Sequence, residues 1–414
     1  MRTLLTLWIA ALAGWCTLPL GAQSTLPRGM QMKVDVSVLA SDLMGGRAAG
    51  SPFADSAASY IAARMAQLDL RPVGDQASSF LQSFPIVIAG HGPQSSAPTL
   101  RTSNVLGYLD NGANHTLVIG AHYDHLGFGG KGSGSLYVGD PAPHNGADDN
   151  ASGVAVMLDL ALRLQNERAD LPYNVLFAAF SAEELGLIGS KYLVEHLPEN
   201  IAPVAAMINF DMVGRLSKDS ILAVNGSGTS PQWNALLEQA ARGRAQLKLH
   251  PSGLGPSDHA SFYLKDVPVL HFFTGQHAQY HKPDDDLVLV NFPGMATVSD
   301  LVFELIKSLP EPEDLAFAKT KDEGQREVAS FKVTLGVMPD YVFAGQGMRI
   351  DAVLDDRPAK QAGLQGGDVL LELGGKAIGD IYDYMEVLGE HEKGQRVEVM
   401  IERKGEVLRK HVTF

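Results

Sequence analysis

Between about residues 100 and 310, apolar runs too short to be helices alternate with segments of helical period. This alternation restricts the chain to a parallel sheet covered on both faces by helices. The runs are Leu117–Ala121, Asn174–Phe180, Val204–Phe210 and Val267–Phe273. Val154, Leu158, Ala161 and Leu164 mark one helical face, and further helices are predicted through Glu184–His196, Trp233–Ala241 and Phe292–Leu309. Upstream, Ala58, Ile61, Met65 and Leu68 recur at helical spacing. Residues 23–54, with Gly45, Gly46, Gly50 and Pro52 close together, read as an irregular lead-in.

In an open α/β sheet, ligands bind beyond the carboxyl ends of the strands. Here those ends carry His122-Tyr123-Asp124, Ser181-Ala182-Glu183-Glu184, Asp211 and, after a short loop, Tyr280-His281. Asp148 and Asp149 precede the helix that starts near Ser152. Each residue alone has an ordinary explanation as a helix cap or surface group. Convergence on one rim points instead to a single polar site. Two imidazoles and three carboxylates suit a divalent ion such as zinc. Five ligands exceed one tetrahedral ion but suit two ions about 3.5–4 Å apart that share a carboxylate. A sixth group must stay unbound to take a proton from the attacking water.

Composition narrows the compartment and partners. The formal charge is 33 − 47 = −14, which argues against nucleic acid or an anionic membrane as the main partner. Residues 1–22 read as a signal peptide: Arg2, an apolar run from Leu4 to Leu20 broken by Gly14 and Pro19, then Leu20-Gly21-Ala22 before Gln23. The single cysteine, Cys16, lies inside it. The mature chain is therefore expected to be exported, to the periplasm or medium, without disulfides, thiol chemistry or a membrane span.

The expected organisation is a signal peptide (1–22), a large α/β domain (23–310), a polar linker (311–330) and a β-rich module (331–414). The linker reading rests on Glu311-Pro312-Glu313-Asp314 and the charged run Lys319–Glu327.

The ordered pieces GAHYD (120–124), GADDNASG (146–153), SAEELG (181–186), NFDMVG (209–214), Ser257-Asp258-His259 and YHKPD (280–284) resemble the dinuclear-zinc aminopeptidases of metallopeptidase family twenty-eight. The resemblance covers roughly residues 40–310. It implies a mostly parallel, mixed sheet sandwiched by helices, two zinc ions per chain, and peptide substrates with a free N-terminus. It assigns His122 and Asp211 to one zinc, Glu184 and His281 to the other, and Asp149 as the bridge, with Asp148 as the second choice. Glu183 becomes the general base and Tyr280 the donor to the oxyanion. Asp124 would orient His122 from behind. Asp258 belongs to the motif without a firm role. A cis peptide between Asp149 and Asn150 is implied as well.

The last module resembles a PDZ domain through Leu335-Gly336-Val337, Pro358-Ala359, Ala362-Gly363-Leu364, Gly367–Leu370 and residues 381–389. A peptide or protein ligand is therefore expected for it. Pro339 departs from the pattern, because proline cannot donate to an added strand. Two other readings of the whole chain compete with the aminopeptidase. One is a single-zinc glutaminyl cyclase of the same fold, disfavoured by Tyr280. The other is a non-catalytic binding protein.

Overall fold

The computed structural model describes residues 28–87, 99–130, 133–167, 171–320, 333–339, 343, 345–353, 357–379 and 381–414. The expected signal peptide with Cys16, and residues 321–330 of the expected linker, lie outside them.

The first sheet contains β1 (Arg71–Pro72), β2 (Leu81–Val87), β3 (Thr99–Leu109), β4 (Thr116–His122), β5 (Asn174–Phe180), β6 (Val204–Phe210), β7 (Ile221–Asn225), β8 (Gln246–His250) and β9 (Val269–Phe273). Its order is β1-β3-β5-β4-β6-β9-β7-β8, with β2 also on β3. The centre β5-β4-β6-β9 is parallel. Beyond it, β3 and β7 run antiparallel to their inner neighbours. The sheet is thus mixed, with a parallel heart. Strands β4 and β5 are buried along their whole length, which is why their sequences are continuously apolar rather than alternating.

Helices α1 (Arg28–Leu39), α2 (Pro52–Gln67), α3 (Gly153–Asn166), α5 (Trp233–Ala241) and α7 (Phe292–Lys307) supply the larger core on one face. On the other face, α4 (Ile188–Glu195) and α6 (His259–Tyr263) bring Leu193, Phe262 and Tyr263 against Val118, Leu176 and Met207. At 25 cal/mol per Å² of apolar surface, each such fully buried side chain is worth about 1.5–3 kcal/mol.

Three expectations need correction. The lead-in 23–54 contains α1, whose Met32, Val36 and Leu39 are buried at helical spacing, and a 3-10 turn at Asp42–Arg47. Asp35 on α1 is held by Arg64 on α2 at 2.8 Å. The helix expected from Glu184 begins only at Ile188. Ala182 and Leu187 take positive φ, which no α-helix tolerates, so the two glutamates sit on a turn. The linker does not start at 311. Leu315 joins the main core, Ala318 N donates to Thr229 O at 2.8 Å, and Thr320 N donates to Tyr263 Oη at 3.0 Å.

That last packing sets a boundary. A chain ending at Thr320 is expected to stay folded and to match the full chain in melting temperature. A chain ending at Pro310 loses the Leu315 and Thr320 contacts and is expected to melt several degrees lower. Equal melting of both truncations would remove the strap from the domain.

The second sheet is formed by β10 (Val337–Pro339), β11 (Met348–Val353), β12 (Val369–Leu373), β13 (Lys376–Ala377), β14 (Arg396–Arg403) and β15 (Glu406–Thr413). All of its pairings are antiparallel. Helices α8 (Pro358–Gln361) and α9 (Ile381–Gly389) complete a separate core around Leu335, Ile350, Leu370 and Val399. Pro339 lies at the end of β10, beside a register shift against β11.

Candidate metal centre

The parallel strands β4, β5 and β6 end on the same rim, and the loop after β9 returns to it. His122 closes β4. Its Nδ1 faces the backbone oxygen of Asp124 at 3.2 Å, which directs Nε2 into the site. Burial opposes charge on this imidazole, but Glu183 and Asp211 outweigh it and hold its pKa well above the ordinary value. Asp124 is fully buried, with a carboxylate oxygen 3.9 Å from His122 Nδ1, and it accepts the backbone N–H of Glu183 at 3.1 Å. It therefore braces two expected site residues at once.

The turn Ala147–Ser152 separates the paired aspartates. Asp148 faces inward to the protein: it accepts from Gly214 N at 2.6 Å and Ser152 Oγ at 3.0 Å, and meets His277 Nε2 at 3.2 Å. Asp149 faces the site, and its peptide bond to Asn150 is cis. Asn150 ties the turn to the end of β6 by donating to Phe210 O at 2.9 Å.

Asp149 lies between two imidazoles. Its Oδ1 is 3.3 Å from His122 Nε2, and its Oδ2 is 3.3 Å from His281 Nε2. His122 Nε2 also lies 3.4 Å from Asp211 Oδ1, and His281 Nε2 lies 3.3 Å from Glu184 Oε2. His281 Nδ1 pairs with Gly134 O at 3.0 Å, leaving Nε2 for the site. A tetrahedral ion with ligands at about 2.0–2.1 Å imposes ligand–ligand edges of about 3.3–3.4 Å. The spacing of these donors would accommodate divalent ions of this size. Two groups, His122 with Asp149 and Glu184, and His122 with Glu183 and Asp211, each bring their ligand atoms within 4.8 Å of one another.

Glu183 and Glu184 are driven apart electrostatically. Burial and Asp149 push Glu184 up, but His281 and His125 outweigh them and hold its carboxyl at about 2. Burial pushes Glu183 well above the ordinary range; His122 opposes this, while Glu184 and Asp211 add to it. One glutamate is thus ionised and ligand-like, and its neighbour is the better proton acceptor.

Tyr280 lines the same cleft and stacks on His281 with ring centroids 3.8 Å apart. Burial and the nearby carboxylates keep its phenol protonated. Asp258 does not line the cleft. It is buried beneath, where burial raises its carboxyl to about 7.

Several supporting residues were not singled out from the sequence. His125 Nδ1 meets Glu184 Oε1 at 2.7 Å. Asp285 Oδ2 accepts both Asp148 N and Asp149 N, at 2.9 and 3.0 Å, while Arg215 holds its other oxygen at 3.2 Å. Asp285 thereby locks Asp149 to the segment that carries His281. The guanidinium of Arg47, fully buried, donates to Leu39 O, Tyr123 O, Asn145 O and Gly146 O and gathers the loops behind the site.

The model of peptidase family M28 matches residues 104–306, a span that contains all seven residues of the centre. The chain carries a peptidase family M28 domain. A PDZ domain model matches residues 320–413. The aminopeptidase YwaD of Bacillus subtilis is 31% identical over 185 residues, which are 41% of this chain and 40% of that protein. The chain spans less than half the length of the first curated relatives it matches. Among solved structures, the zinc aminopeptidase BSAP from Bacillus subtilis superimposes with a TM-score of 0.52 at 20% identity, covering 71% of this chain and 99% of its own. A glutaminyl cyclase from Bacteroides thetaiotaomicron does so with a TM-score of 0.53 at 16% identity, covering 68% and 98%. The fold of the M28 domain is thus shared by both.

Proposed function

We propose that the protein is an exported, zinc-dependent aminopeptidase that removes single residues from the free N-termini of peptides. The observation that carries this is the pair of donor sets joined at Asp149: His122 and Asp211 on one side, Glu184 and His281 on the other. These five residues would hold the ions, which when bound supply Lewis-acid polarisation of the scissile carbonyl and a water of lowered pKa. A second complete donor set favours the hydrolase over a single-zinc cyclase.

Around that centre the chain has distinct tasks. Glu183 takes a proton from the attacking water and returns it to the leaving amine. Tyr280 donates to the oxyanion that develops on the carbonyl. The carboxylates Glu183 and Asp211 attract the substrate's α-ammonium group, which fixes the first peptide bond over the site and explains the need for an unblocked terminus. Asp124 and Asp285 hold His122, Glu183 and Asp149 in register. The PDZ-like module takes a peptide or protein ligand. Export rests on the sequence of residues 1–22. Among the described residues, no helix is long and apolar enough to cross a membrane.

The test is product analysis. Unblocked peptides should release residues one at a time, N-acetylated peptides should be inert, and chelation should abolish turnover until zinc is restored. A peptide that begins with glutamine decides between the enzymes. Free glutamine supports the aminopeptidase, whereas conversion to a pyroglutamyl peptide with nothing released would overturn it.

A further inference from the structure

The cleft over the centre has a second wall that carries none of the proposed metal ligands. Met212, Pro256 and Phe273 form its apolar part, and Asn225, His271 and Gln276 its polar part. Among the described residues lining the cleft, every acidic group belongs to the proposed ligands or to Glu183. The side chain of a first residue whose carbonyl sits over the centre has this wall to rest against.

The polar part has a defined hydrogen-bonding character. Strands β7 and β9 pair Asn225 with His271, and Asn225 Nδ2 donates to His271 Nδ1 at 3.0 Å. In a neutral imidazole this places the hydrogen on Nε2. Burial, helped by His259 stacked at 4.5 Å, keeps the ring neutral by pushing its pKa down to about 3. His271 is 3% exposed, and its Nε2 has no hydrogen-bond partner among the described residues. Gln276 Oε1 is likewise buried and unpartnered. The wall therefore offers the imidazole donor of His271 and the carboxamide of Gln276, which carries both an acceptor oxygen and an NH₂, and both groups are uncharged.

We propose that this wall is the side-chain pocket for the substrate's first residue and that it selects a carboxamide, the side chain of asparagine or glutamine. The carboxamide oxygen accepts from His271 Nε2–H, and its NH₂ donates to Gln276 Oε1. Leucine leaves both groups buried and unpaired, which is the costly arrangement for a polar site. Lysine or arginine finds no counter-charge on this wall, and aspartate or glutamate meets a neutral imidazole beside a cluster of carboxylates. The inference rests on the aminopeptidase reading and names its substrate class.

The experiment uses the full chain loaded with zinc and a series of X-Ala-Ala peptides in which X is Gln, Asn, Leu, Lys or Glu. For Gln or Asn, kcat/KM is expected to exceed that for Leu by about tenfold or more. His271→Leu and, separately, Gln276→Leu should bring the Gln-to-Leu ratio down towards one. Zinc content and melting temperature are measured on each variant. Gln276 is half-buried in a loop, so it decides the matter should His271→Leu fail to fold. A wild-type preference for Leu or a charged residue overturns the inference, as does an unchanged ratio in a variant that keeps two zinc ions. No release from any unblocked peptide would instead sink the aminopeptidase reading.

Discussion

Glu183→Gln is expected to keep two zinc ions per chain while turnover falls about a hundred- to ten-thousandfold, the usual contribution of a positioned base. Glutamine has the same shape but no basic carboxylate. Glu183 lies within 4.8 Å of His122 and Asp211 but takes part in none of the 3.3–3.4 Å pairings that join the two donor sets, so removing its charge is expected to leave those pairings in place. Glu184→Gln differs although it is the adjacent residue. Glu184 lies 3.3 Å from His281 and 2.7 Å from His125, and both contacts hold it as the anion. Its neutral amide should lower zinc content towards one ion, with activity lost in consequence. Metal analysis beside single-turnover rates distinguishes the two variants. Equal zinc loss in both would show that the roles of the glutamates are misassigned.

Tyr280→Phe removes one hydroxyl and keeps the ring. The ring stacks on His281 and packs near Met212, Ala223 and Phe273, so the apolar contacts survive. Zinc content and KM should change little, while kcat drops about ten- to a thousandfold, the range for losing one donor to a developing oxyanion. The burial that keeps this phenol protonated also makes it a donor across the working pH range. An unchanged kcat would reduce Tyr280 to packing.

The parallel heart of the fold was legible because β4 and β5 are buried on both faces and are therefore apolar throughout. The strand-end rule then pointed to the rim where these side chains come together. Other elements carried weaker local signals. Strand β8, Gln246–His250, is half-exposed and contains Lys248, so its pattern resembles a polar loop. Helix α1 is rich in valine, and its burial comes from α3 and α7, far away in sequence. The separation of Asp148 from Asp149 followed from the motif. What holds them apart did not: the two amides gripped by Asp285 are more than a hundred residues distant in sequence. His125 and Arg47 were missed for the same reason, since their partners are chosen by tertiary structure alone.

The residues of the centre come from the end of β4, the turn before α3, the turn after β5, the end of β6 and the loop after β9. No two neighbouring stretches of chain can assemble even one donor set, because His122 meets Asp211 only when β6 has docked on β4, and Asp149 meets His281 only when β9 has joined them. Such non-local pairings form late, after most loop-closure entropy has been lost. A nascent or partly unfolded copy therefore has no scissors to offer. On the proposed aminopeptidase reading, this is a built-in safety catch: the blade exists only in the finished tool.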